Sequence, residues 1–210
     1  MNRPLALVFD FDGTLAELNI DFGLMARQVE ALARRMGFAG PWPAGYLLEV
    51  VGRVANALGD GFAAQAEEVI RQVEVEAAAR GRLFDFCRPL LAGLRREGLA
   101  VAIVSRNCAA AIRRVFPDID AHCQAFLPRE AAPRPKPDPA HVLAALERLG
   151  VWPAQAWMIG DHPTDMSAGR AAGCFCLGLT SGRSDAAALC AAGAGLVLAD
   201  AGMIAEMIAA

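Results

Sequence analysis

The chain has 210 residues, 55% of them hydrophobic, with a formal net charge of −3 and a pI near 5.6. That suffices for one large domain, or a core with a smaller insertion, and it leaves no basic footprint for nucleic acid. Apolar runs break well short of the ~18 residues a membrane helix needs, and the early Asp10 and Asp12 argue against a signal peptide, so a soluble, cytoplasmic protein is expected, with no membrane or nucleic-acid partner.

Leu5 to Phe9 is a continuous apolar run, too short for a globular helix and without the alternation of a half-exposed strand. It predicts a strand buried on both faces in the middle of a parallel sheet. The run stops at two carboxylates, Asp10 and Asp12, followed by Gly13 and Thr14. Carboxylates at i and i+2 point the same way if the strand continues, and crowded acidic groups share a cation or a proton. After Thr14 the sheet pattern ends. Asp21–Gly37, Tyr46–Leu58 and roughly Phe62–Arg80 then carry apolar residues at helical spacing, separated by Pro41-Trp-Pro43 and Gly59-Asp-Gly61. They predict a small helical bundle inserted straight after the first strand.

From Gly81 onward helices alternate with buried strands. Strands are expected at Leu99–Val104, Cys123–Leu127, Ala156–Gly160, Cys174–Leu179 and Gly195–Leu198. This alternation implies an α/β fold, a doubly wound parallel sheet. The division expected is a core of residues 1–17 and 83–210 and an all-helical cap of residues 18–82. The six cysteines are scattered and do not resemble a zinc site. Of the 20 basic side chains only Lys136 is a lysine. In a chain that uses arginine everywhere else, a retained lysine marks a position where a compact ammonium is required.

Three strands end in polar clusters: Asp10-Phe-Asp12, Ser105-Arg106-Asn107, and Asp161-His-Pro-Thr-Asp165. A doubly wound sheet brings such ends to one edge, where ligands bind. Carboxylates there suit a hard cation such as Mg²⁺, which favours phosphate as a co-ligand. Ser105, Lys136 and the amides around Gly13 are placed to hold further phosphate oxygens. Simpler roles are assigned nearby. Asn107 is expected to cap the following helix, His162 to be a loop residue and Asp138 to form a turn. Tyr46 and Arg53 are the cap residues considered for facing a substrate.

The pattern Asp10-Phe-Asp12-Gly-Thr14, then Ser105 after a strand, then Lys136-Pro-Asp-Pro139, then Gly160-Asp161-x-x-x-Asp165 resembles the haloacid dehalogenase superfamily. The early helical insertion is similar to its small-cap members, the phosphoglycolate phosphatases among them. Arg106-Asn107 departs from the Asn-Lys often found there. The resemblance implies a Mg²⁺-dependent phosphatase acting on a small phosphate monoester, phosphoglycolate-like or a sugar phosphate. In that reading Asp10 is the nucleophile that forms an aspartyl phosphate, and Asp12 the general acid and base. Gly13, Thr14, Ser105, Arg106 and Lys136 bind phosphate, with Lys136 also catalytic. Asp10, Asp12 (through its backbone carbonyl), Asp161 and Asp165 make the metal site. The partner expected is a small phosphorylated metabolite, and the chain a monomer or homodimer. The competing functions are a phosphosugar mutase of the same superfamily and a catalytically idle protein that binds a phosphometabolite. The mutase is disfavoured because the three histidines and the one lysine all lie outside the cap.

Overall fold

A computed structural model describes residues 3–209. Its centre is β1 (Ala6–Phe9), with every residue buried; Leu5, expected within the strand, is exposed just before it. Around it stand β4 (Ala100–Val104), β5 (Ala125–Leu127), β6 (Ala156–Gly160), β7 (Phe175–Leu179) and β8 (Leu196–Leu198). The six strands run in the order β5-β4-β1-β6-β7-β8, all parallel. This is the doubly wound α/β sheet expected from the alternation of elements.

Because side chains alternate across a strand, the sheet sorts its residues onto two faces. Leu7, Phe9, Val101 and Ile103 enter one apolar cluster, whereas Ala6, Val8, Ala102 and Val104 enter the other. The second face is covered by α6 (Ala140–Leu149) and α7 (Pro163–Ala172), among others. The first is covered by α4 (Cys87–Arg96) and α5 (Ala109–Val115).

Two short strands, β2 (Ala16–Glu17) and β3 (Arg82–Leu83), pair antiparallel as a separate ribbon. This ribbon lies beyond Thr14, where no further sheet pattern is expected before the helices, since two residues are too few to show a period. Between them lie α1 (Phe22–Arg35), α2 (Leu47–Leu58) and α3 (Asp60–Ala78). Asp21 caps α1 by accepting from the Leu24 amide at 2.8 Å. The break expected across Gly59-Asp-Gly61 narrows to Gly59 alone, whose φ of +82° ends α2 and starts α3 without a linker. Met25, Val29, Val54, Phe62 and Ile70 pack into the same cluster as the first sheet face, and α3 lies against α5. Among the described residues no helix is long and apolar enough to cross a membrane.

Candidate active site

The parallel register sets Phe9 beside both Ile103 and Ile159. The residues that follow these three strands therefore meet at one edge: Asp10 and Asp12 after β1, Ser105 after β4, Asp161 after β6. Lys136, from the proline-rich loop before α6, reaches into the same place. Its ammonium lies 2.6 Å from both Asp10 Oδ1 and Asp165 Oδ1 and donates to the Val104 carbonyl at 3.2 Å. Lys136 is only 1% exposed. Burial opposes its charge, but Asp10 and Asp165 outweigh that and hold its pKa above the ordinary lysine value.

Asp10, Asp161 and Asp165 each place a carboxylate oxygen within 4.8 Å of the others, and all three are buried. Burial holds Asp10 well above the usual carboxylate range despite Lys136. Burial, together with the charge of Asp165, pushes Asp161 up to about 7. With all three carboxylates ionised against one ammonium, two negative charges would be left uncompensated, the complement of a divalent cation. The all-oxygen donor set fits a hard ion such as Mg²⁺. The carboxylate of Asp12 stands apart, accepting from the Leu18 amide at 2.8 Å, and burial raises its pKa as well.

These shifts give the metal-free protein a defined pH response. A carboxyl whose folded pKa lies above its unfolded value favours folding at low pH, and that contribution is lost as pH rises through the folded pKa. Stability tied to Asp161 should therefore fall between about pH 4 and 7 without metal, and a bound cation should restore it. Mg²⁺ is expected to raise the melting temperature more at pH 8 than at pH 6. A shift that is absent, or independent of pH, would contradict a carboxylate metal site.

Small residues make room for this cluster. Gly13 has φ +86°, and a Cβ there would meet the Asp161 carboxylate. A Cβ on Gly182 would overlap the same carboxylate. Thr14 is fully buried, its hydroxyl 3.5 Å from Asp161 Oδ1. Ser105 is also fully buried and donates to Asn107 Oδ1 at 3.0 Å. Asn107 does not cap α5 as expected. Cys108 is the capping residue, its sulfur accepting from the Ala111 amide. Asn107 instead joins Ser105 to Glu74 of α3. His162 caps α7, and Asp165 closes a capping box by accepting from the His162 amide at 3.0 Å, so Asp165 serves both helix and cluster. Asp138 accepts from the Ala140 amide at 2.9 Å, the turn role expected of it.

Above the carboxylates a cavity of about 710 Å³ separates the strand ends from α1–α3. Asp10, Asp12, Gly13, Arg106, Asp161 and Asp165 line it. Arg106 stacks on Tyr46, 5.1 Å from ring centre, and Tyr46 in turn meets the His162 ring edge-on. Tyr46 thus faces the cavity. Arg53 does not line it, because its guanidinium is turned to the Ala44 carbonyl.

Sequence reasoning missed two groups. The loop after β7 brings Ser181 to the Gly13 carbonyl at 2.7 Å and the Arg183 amide to Asp161 Oδ2 at 3.2 Å. A Gly- and Ser-containing segment after a buried strand was the available signal, and no carboxylate marked it. The second group is Glu74, which accepts from Arg129 at 2.6 Å and from the Cys108 amide at 2.9 Å. Arg129 also pairs with Glu67 at 2.6 Å. An acidic residue on the apolar stripe of α3, four positions after Ile70, was the sign of it.

A parallel α/β sheet with converging carboxylates at its carboxyl edge defines a Rossmann-like protein with a buried polar site. The chain belongs to the haloacid dehalogenase-like hydrolase family, whose model matches residues 7–179. It is 28% identical over 218 residues to a phosphoglycolate phosphatase of Pseudomonas putida, covering 94% of this chain and 77% of that protein. It is 29% identical over 184 residues to one of Xanthomonas campestris, covering 82% and 81%. The fold is shared with the crystal structure of a hydrolase from Pseudomonas syringae, at a TM-score of 0.71 and 23% identity over 97% of each chain.

Proposed function

We propose that this hydrolase is a Mg²⁺-dependent phosphatase of small phosphate monoesters that works through an aspartyl phosphate on Asp10. The observation that carries the reading is the buried cluster of Asp10, Asp161 and Asp165 joined by Lys136, at the floor of a cavity large enough for a metabolite. Relatives named phosphoglycolate phosphatase support phosphate-ester chemistry. Residues 18–82 act as a cap over a core of 1–17 and 83–210.

Asp10, Asp161, Asp165 and the Asp12 backbone carbonyl would hold Mg²⁺, which when bound supplies positive charge against the carboxylates and the phosphoryl oxygens. A carboxylate oxygen of Asp10 attacks phosphorus, and the bond from phosphorus to the ester oxygen breaks. Asp12, whose raised pKa favours a retained proton, gives that proton to the departing alkoxide. Water then attacks the phosphoryl group on Asp10. Asp12 takes the water's proton, and Asp10 leaves as a carboxylate with inorganic phosphate as the product. Lys136, Ser105, Arg106, Thr14 and the amides at Gly13 bind the phosphoryl oxygens and balance the charge developing on them.

The test is turnover on a panel of phosphate monoesters with Mg²⁺ and with excess chelator. Hydrolysis is expected only with the metal. Asp12→Ala should slow it by ~10²–10⁴-fold, the usual worth of general acid–base help. Undiminished hydrolysis in chelator, or by Asp12→Ala, would refute the mechanism.

A further inference from the structure

The two halves of the cavity differ in chemistry. Its floor holds the carboxylates together with Arg106 and Arg183, which belong to the loops after β4 and β7. Arg106 follows Ser105 directly, and the Arg183 amide is on Asp161 while its guanidinium donates to the Ile20 carbonyl at 2.9 Å. Each guanidinium is also engaged by an aromatic ring of the cap, Arg106 by Tyr46 and Arg183 by Phe22 at 4.4 Å.

The roof is different. It is made by Met25 of α1, Trp42 of the loop after it, Leu47, Leu48 and Val50 of α2, and Ile70 of α3. Among the described residues, Glu74 is the one charged side chain that residues 22–78 turn to the cavity, and it is an anion already held by Arg129. At the rim Glu17 and Arg82 face each other at 3.4 Å. The roof residues themselves offer no cation to a carboxylate or second phosphate on the substrate, which would approach Glu74 there. A polyol would leave most of its hydroxyls against apolar surface without partners, which is costly. The volume, about 710 Å³, also lies in the range of cavities that enclose a ligand far larger than glycolate.

We infer that the physiological substrate is a phosphate monoester whose alcohol part is apolar, inserted among Met25, Trp42, Leu48 and Ile70. The inference rests on the phosphatase reading and narrows its substrate class. It sets this chain apart from what the names of its relatives describe.

The test compares kcat/KM, with Mg²⁺, for benzyl phosphate, glycerol 1-phosphate and phosphoglycolate. All three release a primary alkoxide, so leaving-group reactivity is roughly matched. Acetyl phosphate, an activated phosphoryl donor, is run beside them. Benzyl phosphate should exceed the other two by ~10²-fold or more, the scale set by burying a few apolar atoms in a fitted pocket. Leu48→Arg, which puts a cation into the roof, should move the ratio of phosphoglycolate to benzyl phosphate upward by ~10-fold or more. Phosphoglycolate or glycerol 1-phosphate matching benzyl phosphate in the unaltered protein would overturn the inference while leaving a phosphatase. An unmoved ratio in folded Leu48→Arg would overturn the role of the roof. Acetyl phosphate and all three esters remaining intact would overturn the phosphatase reading and the inference with it.

Discussion

Asp10→Asn is expected to lower turnover on every phosphate monoester by ~10⁴-fold or more, the scale of losing a nucleophile, while the protein stays folded. The amide has the shape of the carboxylate, and its oxygen can still accept from Lys136, now 2.6 Å from Asp10 Oδ1. What disappears is a negative charge that burial already opposes. The melting temperature without metal should therefore hold or rise, whereas the stabilisation by Mg²⁺ should shrink because one donor has lost its charge. Kinetics and thermal melts of the same preparation check both parts. Activity within tenfold of the parent protein would remove Asp10 from the chemistry.

Lys136→Met is the second large effect, and it differs in kind. The methionine fills a similar volume but leaves Asp10 and Asp165 buried without their shared cation, whose contacts are 2.6 Å each. Removing one partner of a buried ion pair costs about 3–5 kcal/mol. Loss of a preorganised charge at the phosphoryl group costs at least ~10²-fold in turnover. Lys136→Arg should lose a similar factor in turnover, since a planar guanidinium is broader than an ammonium and the site is closed around it. Denaturant melts and steady-state kinetics of both variants test this. A stable, active Lys136→Met protein would mean that the ammonium neither balances the cluster nor binds phosphate.

Much of this site was legible because its chemistry is written at strand ends. Leu5–Phe9, Leu99–Val104 and Ala156–Gly160 are short apolar runs that stop at Asp10, Ser105 and Asp161, and a parallel sheet allows those ends only one common edge. Lys136 stood out by composition alone. The parts that were not legible depend on tertiary placement. The β2–β3 ribbon is too short for a period. Arg183 reaches the site through a loop whose glycine, Gly182, is needed for close approach to Asp161. Asn107 carries the usual capping side chain, yet Cys108 caps α5, because Glu74 and Ser105 engage Asn107 instead. Arg53 carries a charge the sequence could not orient; only the fold turns it from the cavity to the Ala44 carbonyl.

The central claim is that phosphorus becomes bonded to Asp10 during turnover. Acid quenching of the Asp12→Ala protein soon after mixing with substrate and Mg²⁺, then peptide mass mapping, tests it most directly. The account predicts the added mass of one phosphoryl group on the peptide that contains Asp10, absent from the Asp10→Asn protein and absent when chelator is present. Hydrolysis that proceeds with no phosphoryl-peptide, or with the group on any residue other than Asp10, would contradict it.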